Sequence, residues 1–202
     1  MRRLWGMIAS AVMALSVLSA CSEVVYAPDE DVAAVRYQHD GPPALALITT
    51  VNKRTGDGAH SALVVNVPQE RVLFDPSGLV DPGLVERHDV LFGITPQAAD
   101  QYVRVHTGER HYTIVQHLPV RQDQAQSAYD KVLANGPALP ATCARTISSI
   151  LRDIDGFEYL PSTWYPVTLA DAFAQLDGVE QIDVQHTNDA SESQALIALM
   201  SK

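Results

Sequence analysis

Three side chains of this sequence are of the types that together carry out nucleophilic catalysis: a thiol, an imidazole and a carboxylate. Cys143 directly follows Thr142, which is suited to cap a helix, so we expect the thiol in the first turn of that helix. Unpaired N–H groups and the positive end of the helix dipole favour a thiolate there. A thiolate needs an imidazole that holds and returns a proton, and the imidazole needs an orienting acceptor. We expect His60 and Asp75 to supply these two groups.

A three-stranded antiparallel meander is expected to bring the imidazole and the carboxylate together. The β-rich runs at 45–51, 60–67 and 72–75 are separated by turn-forming residues. His60 opens the second run and Asp75 closes the third, 15 residues later, so both fall at the same end of adjacent strands.

The remaining periodicity predicts further helices and strands. The predicted helices run from Thr95-Pro96 to about His106, over 122–133, from Cys143 to Gly156 and over 169–176, and the predicted strands over 111–118 and 179–185. The expected fold class is therefore α+β, with an antiparallel sheet packed against helices.

Three short motifs around the candidate residues resemble the catalytic elements of papain-like cysteine peptidases. They are GAHSALV at 58–64, FDP at 74–76 and PATCAR at 140–145. Because the His motif precedes the Cys motif, the order is similar to that of circularly permuted members of the NlpC-type superfamily. Those relatives include bacterial lipoproteins and the lecithin:retinol acyltransferase group. The resemblance covers roughly residues 45–175 and implies a permuted papain-like domain.

The resemblance also implies a role for each side chain. Cys143 would be the nucleophile, His60 the general base and acid, and Asp75 the orienting residue, where many relatives have His, Asn or Gln instead. The backbone N–H of Cys143 and one further donor would stabilise the oxyanion. Gln116 and Asn66 are both candidates for that second donor.

The N-terminus resembles the signal sequence of a bacterial lipoprotein. Residues 1–20 combine two arginines with an apolar stretch, and LSAC at 18–21 resembles a lipobox, in which the cysteine is acylated. We therefore expect a lipid on Cys21, a tether over 21–41, a folded domain over 42–186 and a C-terminal tail over 187–202. The lipid would anchor the protein to a membrane, and Ser22 indicates the outer membrane, facing the periplasm.

Composition argues against several function classes. The 202 residues include 24 acidic and 14 basic ones, for a net charge of −10, which leaves no basic surface for nucleic acid. The other histidines lack the spacing of metal ligands, and lipidation of Cys21 leaves a single thiol. We therefore expect neither a metal nor another cofactor.

Two functions stay open at this point. One is a lipid-anchored thiol hydrolase or transferase of the cell envelope, acting on an amide, isopeptide or ester bond in peptidoglycan stem peptides or in an acyl substrate. The other is a binding or scaffolding lipoprotein of the same fold, in which Cys143 is a buried apolar residue and Asp75 only forms a turn. Redox sensing would need a resolving cysteine, which the mature chain lacks.

Overall fold

Seven antiparallel strands form one sheet in the part of the molecule that the structure describes. The computed structural model describes residues 26–78 and 84–202, so the predicted signal peptide and Cys21 lie outside the described residues. The strands are β1 (Ala44–Asn52), β2 (Gly58–Val67), β3 (Glu70–Phe74), β4 (Val85–Arg87), β5 (Val90–Phe92), β6 (His111–Pro119) and β7 (Glu180–Val184). Their order is β4-β5-β3-β2-β1-β6-β7. The predicted meander and the α+β class are confirmed.

Helices cover both faces of the sheet. They are α1 (Asp29–Val35), α2 (Pro96–His106), α3 (Gln122–Ala134), α4 (Cys143–Arg152), α5 (Pro166–Phe173) and α6 (Ala190–Leu199). Helices α3, α4 and α5 pack on one side, which we call the first face, whereas α2 and α6 pack on the second face. Within the described ranges, no helix has the length and apolar character needed to cross a bilayer.

Alternation along the central strands explains how both faces are buried. In β1, Leu45 and Leu47 point to the first face, whereas Ala46 and Ile48 point to the second. A sheet between two helical layers needs apolar side chains at both the odd and the even positions of a strand. The central strands therefore have nearly continuous hydrophobic sequences. Removal of these side chains from water is the main favourable contribution to folding.

Proline fixes the start of two helices. Pro96 is the first residue of α2, and the Thr95 side chain caps the helix by accepting from the N–H of Ala98 at 3.0 Å, so the predicted helix start is confirmed. Helix α5 begins at Pro166, three residues before the predicted start at residue 169. A proline is tolerated there because its missing N–H has no partner in the first turn.

Two segments predicted to lie outside the domain pack against it. In the expected tether, Tyr26 forms an isolated β-bridge with Arg87 of β4. Val32 of α1 is buried in the core of the first face. The expected tail contains α6, whose Leu196 and Leu199 are buried on the second face. Three acidic residues of the expected tether occupy the first turn of α1, where they suit the helix dipole.

Candidate active site

The start of β2 brings elements from both faces of the sheet together. Strand β3 ends at Phe74, opposite Leu63, so among the described residues no strand pairs with the earlier part of β2 on that side. His60 and Asp75 lie next to each other at this end, and both side chains are on the second face of the sheet. Helix α4, which packs on the first face, begins here with Cys143. The structure therefore brings the three predicted side chains together.

The imidazole of His60 lies between the carboxylate and the thiol. Its Nε2 hydrogen-bonds to Oδ1 of Asp75, which leaves Nδ1 as the ring nitrogen for Cys143. The Cys143 thiol lies close enough to the ring for the two groups to stabilise each other's charged forms. Contacts to a nucleophile often tighten only when substrate binds. The His60 and Asp75 side chains are 16% and 4% exposed, so water screens their interaction weakly.

Burial and pairing shift the titration of both reacting groups. Burial alone would lower the pKa of His60, but hydrogen bonds to Asp75 and Cys143 raise it to about 9. Burial alone would raise the pKa of the Cys143 thiol, yet His60 and two backbone N–H groups hold it below its ordinary value. Both shifts favour a thiolate paired with an imidazolium over the neutral pair.

The two backbone N–H groups at the sulfur come from different elements. One belongs to Ser61, in the unpaired part of β2, and the other to Ala144, in the first turn of α4. Thr142 holds the N-cap position as predicted, but its hydroxyl donates to the carbonyl of Leu139 at 2.7 Å and makes no capping bond. The N–H groups of the first turn are therefore left to stabilise the thiolate.

The loop after β3 is built closely around the carboxylate of Asp75. A Cβ added at Gly78 would lie 1.9 Å from Oδ1 of Asp75, so a larger residue does not fit there. Tyr102 is fully buried, and its hydroxyl lies beside the same carboxylate without the alignment of a full hydrogen bond. Burial and the Asp75 charge raise the pKa of this phenol well above its ordinary value, so the hydroxyl stays neutral.

Helix α2 adds a second imidazole to the site that the sequence analysis did not assign. The ring of His106 stacks on that of His60, with centroids 5.7 Å apart and planes 16° from parallel. Its Nδ1–H donates to the carbonyl of Tyr102 at 2.9 Å, which holds the ring against α2. The i, i+4 spacing of Tyr102 and His106 was the sequence signal that could have indicated a shared helix face.

Three of these side chains offer atoms that a metal ion could use. The ligand atoms of His60, Asp75 and His106 lie within 4.8 Å of one another. Imidazole and carboxylate are zinc ligands, but His60 and Asp75 already bond to each other, and a metal would have to separate them. A second set lies nearer the surface: His186, Asp189 and Glu192. In that set Asp189 and Glu192 already accept backbone N–H groups.

A carboxylate outside the triad joins the two loops that carry Asp75 and Cys143. Oδ2 of Asp89 accepts hydrogen bonds from the backbone N–H of Ser77 at 3.3 Å and of Ala138 at 2.7 Å. The carbonyl of Asp89 accepts from the N–H of Asp75 at 2.8 Å. Asp89 has a φ of 64°, a left-handed conformation that Asp tolerates better than most residues. Its role was not visible in the sequence because its side chain bonds residues 12 and 49 positions away.

Neither residue suggested as the second oxyanion donor reaches the site. Gln116 donates through Nε2 to a carbonyl of α5 at 3.0 Å and to Gln181 at 2.9 Å, so both of its N–H groups are used. Asn66 lies at the far end of β2, about 20 Å from His60 along the strand, and donates to a backbone carbonyl before β1. Both amides hold the fold together instead.

Exposed aromatic side chains lie beside this end of the sheet. Gly58, at the start of β2, packs against Pro166 so closely that an added Cβ would lie 2.5 Å from the Cβ of the proline. Trp164 and Tyr165 precede that proline and are 59% and 72% exposed. Their rings are therefore available to contact a substrate, whereas Cys143 itself is only 7% exposed.

We expect Gly78→Ala to disturb the site by displacing the carboxylate of Asp75. The overlap should lower the free energy of unfolding by about 1–3 kcal/mol. It should also slow alkylation of Cys143 at pH 7, because His60 loses its partner. Denaturant unfolding measures the first effect, and mass spectrometry of the Cys143 peptide after iodoacetamide treatment measures the second.

Gly108→Ala is the matched control, since an added Cβ there meets nothing within 4 Å. It should change the free energy of unfolding by less than about 0.5 kcal/mol. In an Asp75→Ala background, which removes the overlap, Gly78→Ala should cost less than in the wild type. Equal costs for the two glycine substitutions would contradict this description of the loop.

We expect Asp89→Gly to lower the reactivity of Cys143 by about tenfold, because loss of both side-chain hydrogen bonds lets the two loops separate. Glycine adopts the left-handed backbone without strain, so the effect reports on the carboxylate alone. Asp89→Asn keeps an acceptor oxygen and should stay within about twofold of the wild type. Iodoacetamide labelling of Cys143 measures all three proteins.

Asp189→Gly is the control for Asp89→Gly, since the Asp189 carboxylate also accepts two backbone N–H groups, but at the start of α6. This variant should leave the reactivity of Cys143 unchanged. Wild-type reactivity in Asp89→Gly would show that the two loops hold their positions without this carboxylate.

Comparison of the chain with protein-family models, with curated proteins and with solved structures finds no match. Any statement of function therefore rests on the geometry and the electrostatics of the site itself.

Proposed function

We propose that this chain is a thiol hydrolase or transferase that attacks an amide, isopeptide or ester carbonyl through Cys143. His60 acts as general base and acid, and Asp75 orients the imidazole. The observation that carries the proposal is the position of the His60 ring, between a buried carboxylate and the thiol at a helix start. Nucleophile, base and orienting residue in this arrangement are what covalent catalysis requires.

The residues support a two-step reaction. The Cys143 thiolate attacks the carbonyl carbon, and the imidazolium of His60 passes its proton to the departing amine or alcohol, which leaves a thioester on the sulfur. Neutral His60 then takes a proton from water or an acceptor nucleophile, which attacks the thioester and releases the thiol. Asp75 stabilises the imidazolium and fixes the ring throughout.

The proposal extends to the family and the location of the protein. The order of the His, Asp and Cys elements is consistent with a permuted papain-like domain of the NlpC type. Together with a lipobox at Cys21, it favours a lipoprotein of the cell envelope, anchored through its lipid in the outer membrane and facing the periplasm. Peptidoglycan stem peptides are the proposed substrate, with an acyl group as the alternative.

Two observations favour a second candidate, a binding or scaffolding lipoprotein of the same fold. Cys143 is 7% exposed, and neither Gln116 nor Asn66 serves as an oxyanion donor. A site without a second donor would lose part of its transition-state stabilisation. The contacts among His60, Asp75 and Cys143 would then only hold the two neighbouring loops in place.

We expect labelling of Cys143 by a peptide-epoxide probe to follow a bell-shaped pH profile. The acid limb should lie below the ordinary thiol range, because the pKa of Cys143 is lowered in the folded protein. The alkaline limb should lie at about 9, because the raised pKa of His60 keeps the imidazolium present below that value and loses it above. Liquid chromatography with mass spectrometry of the Cys143 peptide gives the rates.

His60→Ala should return the acid limb of the pH profile to the ordinary thiol range. Asp75→Asn should slow labelling by at least about tenfold, because it favours the wrong imidazole tautomer. His186→Ala is the control, since that ring lies at the surface. A labelling rate that rises only once with pH, near the ordinary thiol pKa, and that His60→Ala leaves unchanged would exclude the proposed enzyme in favour of the scaffolding protein.

A further inference from the structure

One helix contacts both members of the imidazole–carboxylate pair from the second face. The ring of His106, the last residue of α2, stacks on the ring of His60 with centroids 5.7 Å apart and planes 16° from parallel. One turn earlier on the same helix, the hydroxyl of Tyr102 lies beside the carboxylate of Asp75. Helix α2 therefore has a side chain against each of the two groups that the His60–Asp75 hydrogen bond joins.

Two contacts to Tyr102 hold the His106 ring in a fixed orientation. Nδ1–H of His106 donates to the carbonyl of Tyr102 at 2.9 Å, and the centroids of the two rings lie 4.4 Å apart. Tyr102 is itself fully buried in the core of the second face. Because close packing in a core restricts a side chain to one rotamer, the His106 ring lies against a rigid neighbour.

The end of α2 is bonded to the row of the sheet that carries His60. The hydroxyl of Thr107, the C-cap residue of α2, lies 2.9 Å from the hydroxyl of Thr113 in β6. Thr113 pairs with Thr50 of β1, and Thr50 pairs with His60 of β2. A hydrogen bond to the sheet therefore fixes this helix end relative to His60.

The hydrogen bond to Asp75 alone leaves the His60 ring able to tilt. The last torsion of a histidine side chain has a broad energy profile, so one bond at Nε2 acts as a pivot. The His106 ring lies nearly parallel to it, within the range of roughly 4.5–7 Å between centroids in which offset rings attract each other. A parallel ring blocks tilting toward its own side and excludes water there.

We propose that His106 is a positioning residue for His60, whose imidazole it keeps in the orientation that bonds Asp75 and lies beside Cys143. The stacked ring also shields the His60–Asp75 hydrogen bond from water. A general base held in one orientation by its neighbours needs no rearrangement before it reacts. The effect of His106 on the thiol rests on the proposed function, in which His60 is that base. Because His106 acts through a flat ring, another aromatic ring should replace it.

The first test follows the Nε2–H proton of His60 by NMR in the full chain, with ring nitrogens labelled. A proton held between an imidazole and a carboxylate resonates far downfield and is seen only while its exchange with water is slow. The resonance should be present in the wild type and in His106→Phe, which keeps a flat ring, and should be lost in His106→Ala.

His106→Gln keeps a donor for the carbonyl of Tyr102 but has no ring. It should therefore match His106→Ala, and it decides the test where the alanine variant does not fold. A resonance that is absent from the wild type, or that persists in both His106→Ala and His106→Gln, would overturn the proposal.

The second test measures the consequence for the thiol, as the rate at which iodoacetamide labels Cys143 at pH 7. His106→Ala should slow labelling by about tenfold, because a misplaced base loses most of its effect, whereas His106→Phe should stay within about threefold of the wild type. Val105→Ala is the matched control in the same turn of α2. The Val105 side chain is 58% exposed, so its loss should change neither the resonance nor the labelling rate.

The two readouts separate this inference from the proposed function. Labelling that is as slow in His106→Phe as in His106→Ala would overturn positioning by the ring. If the resonance responds as expected while His60→Ala and His106→Ala both label at the wild-type rate, the positioning role holds and the proposed function fails.

Discussion

The candidate site depends on one imidazole that interacts with both a carboxylate and a thiol. His60 hydrogen-bonds to a buried carboxylate through Nε2 and interacts with the thiol of Cys143, and both interactions favour the charged ring against the cost of burial. The same charge lowers the pKa of Cys143. Loss of either contact would weaken the other, because each stabilises the protonation state that its neighbour requires.

The fold supplies this geometry by ending one strand early. Because β3 stops opposite Leu63, no described strand pairs with the start of β2 on that side, and the N–H of Ser61 faces the sulfur of Cys143 there. The nucleophile helix approaches from the first face, whereas α2 contributes Tyr102 and His106 from the second. Asp89 then bonds the loops that arrive from the two sides. The site is a junction between layers, held by backbone hydrogen bonds.

Local patterns were enough to predict the parts of this junction that depend on neighbouring residues. The meander, the Thr95-Pro96 helix start and the position of Cys143 at the first turn of α4 follow from turn chemistry, capping residues and periodicity. Residues that act over long separations were missed: Asp89 bonds an N–H 49 positions away. Gln116 and Asn66 were chosen by residue type alone, and the sheet register places them elsewhere. Acidic composition hid α1, because helix-start acids and solvated-linker acids look alike in a sequence.

The most direct test of this account is an NMR titration of the His60 imidazole in the folded protein, with ring nitrogens labelled. The account predicts that the ring is protonated at neutral pH and titrates with a pKa of about 9. In Cys143→Ser the pKa should fall, because the thiolate partner is gone. A His60 pKa near 6.5 in the wild type, unchanged by Cys143→Ser, would contradict the coupling of imidazole and thiol on which the proposed chemistry depends.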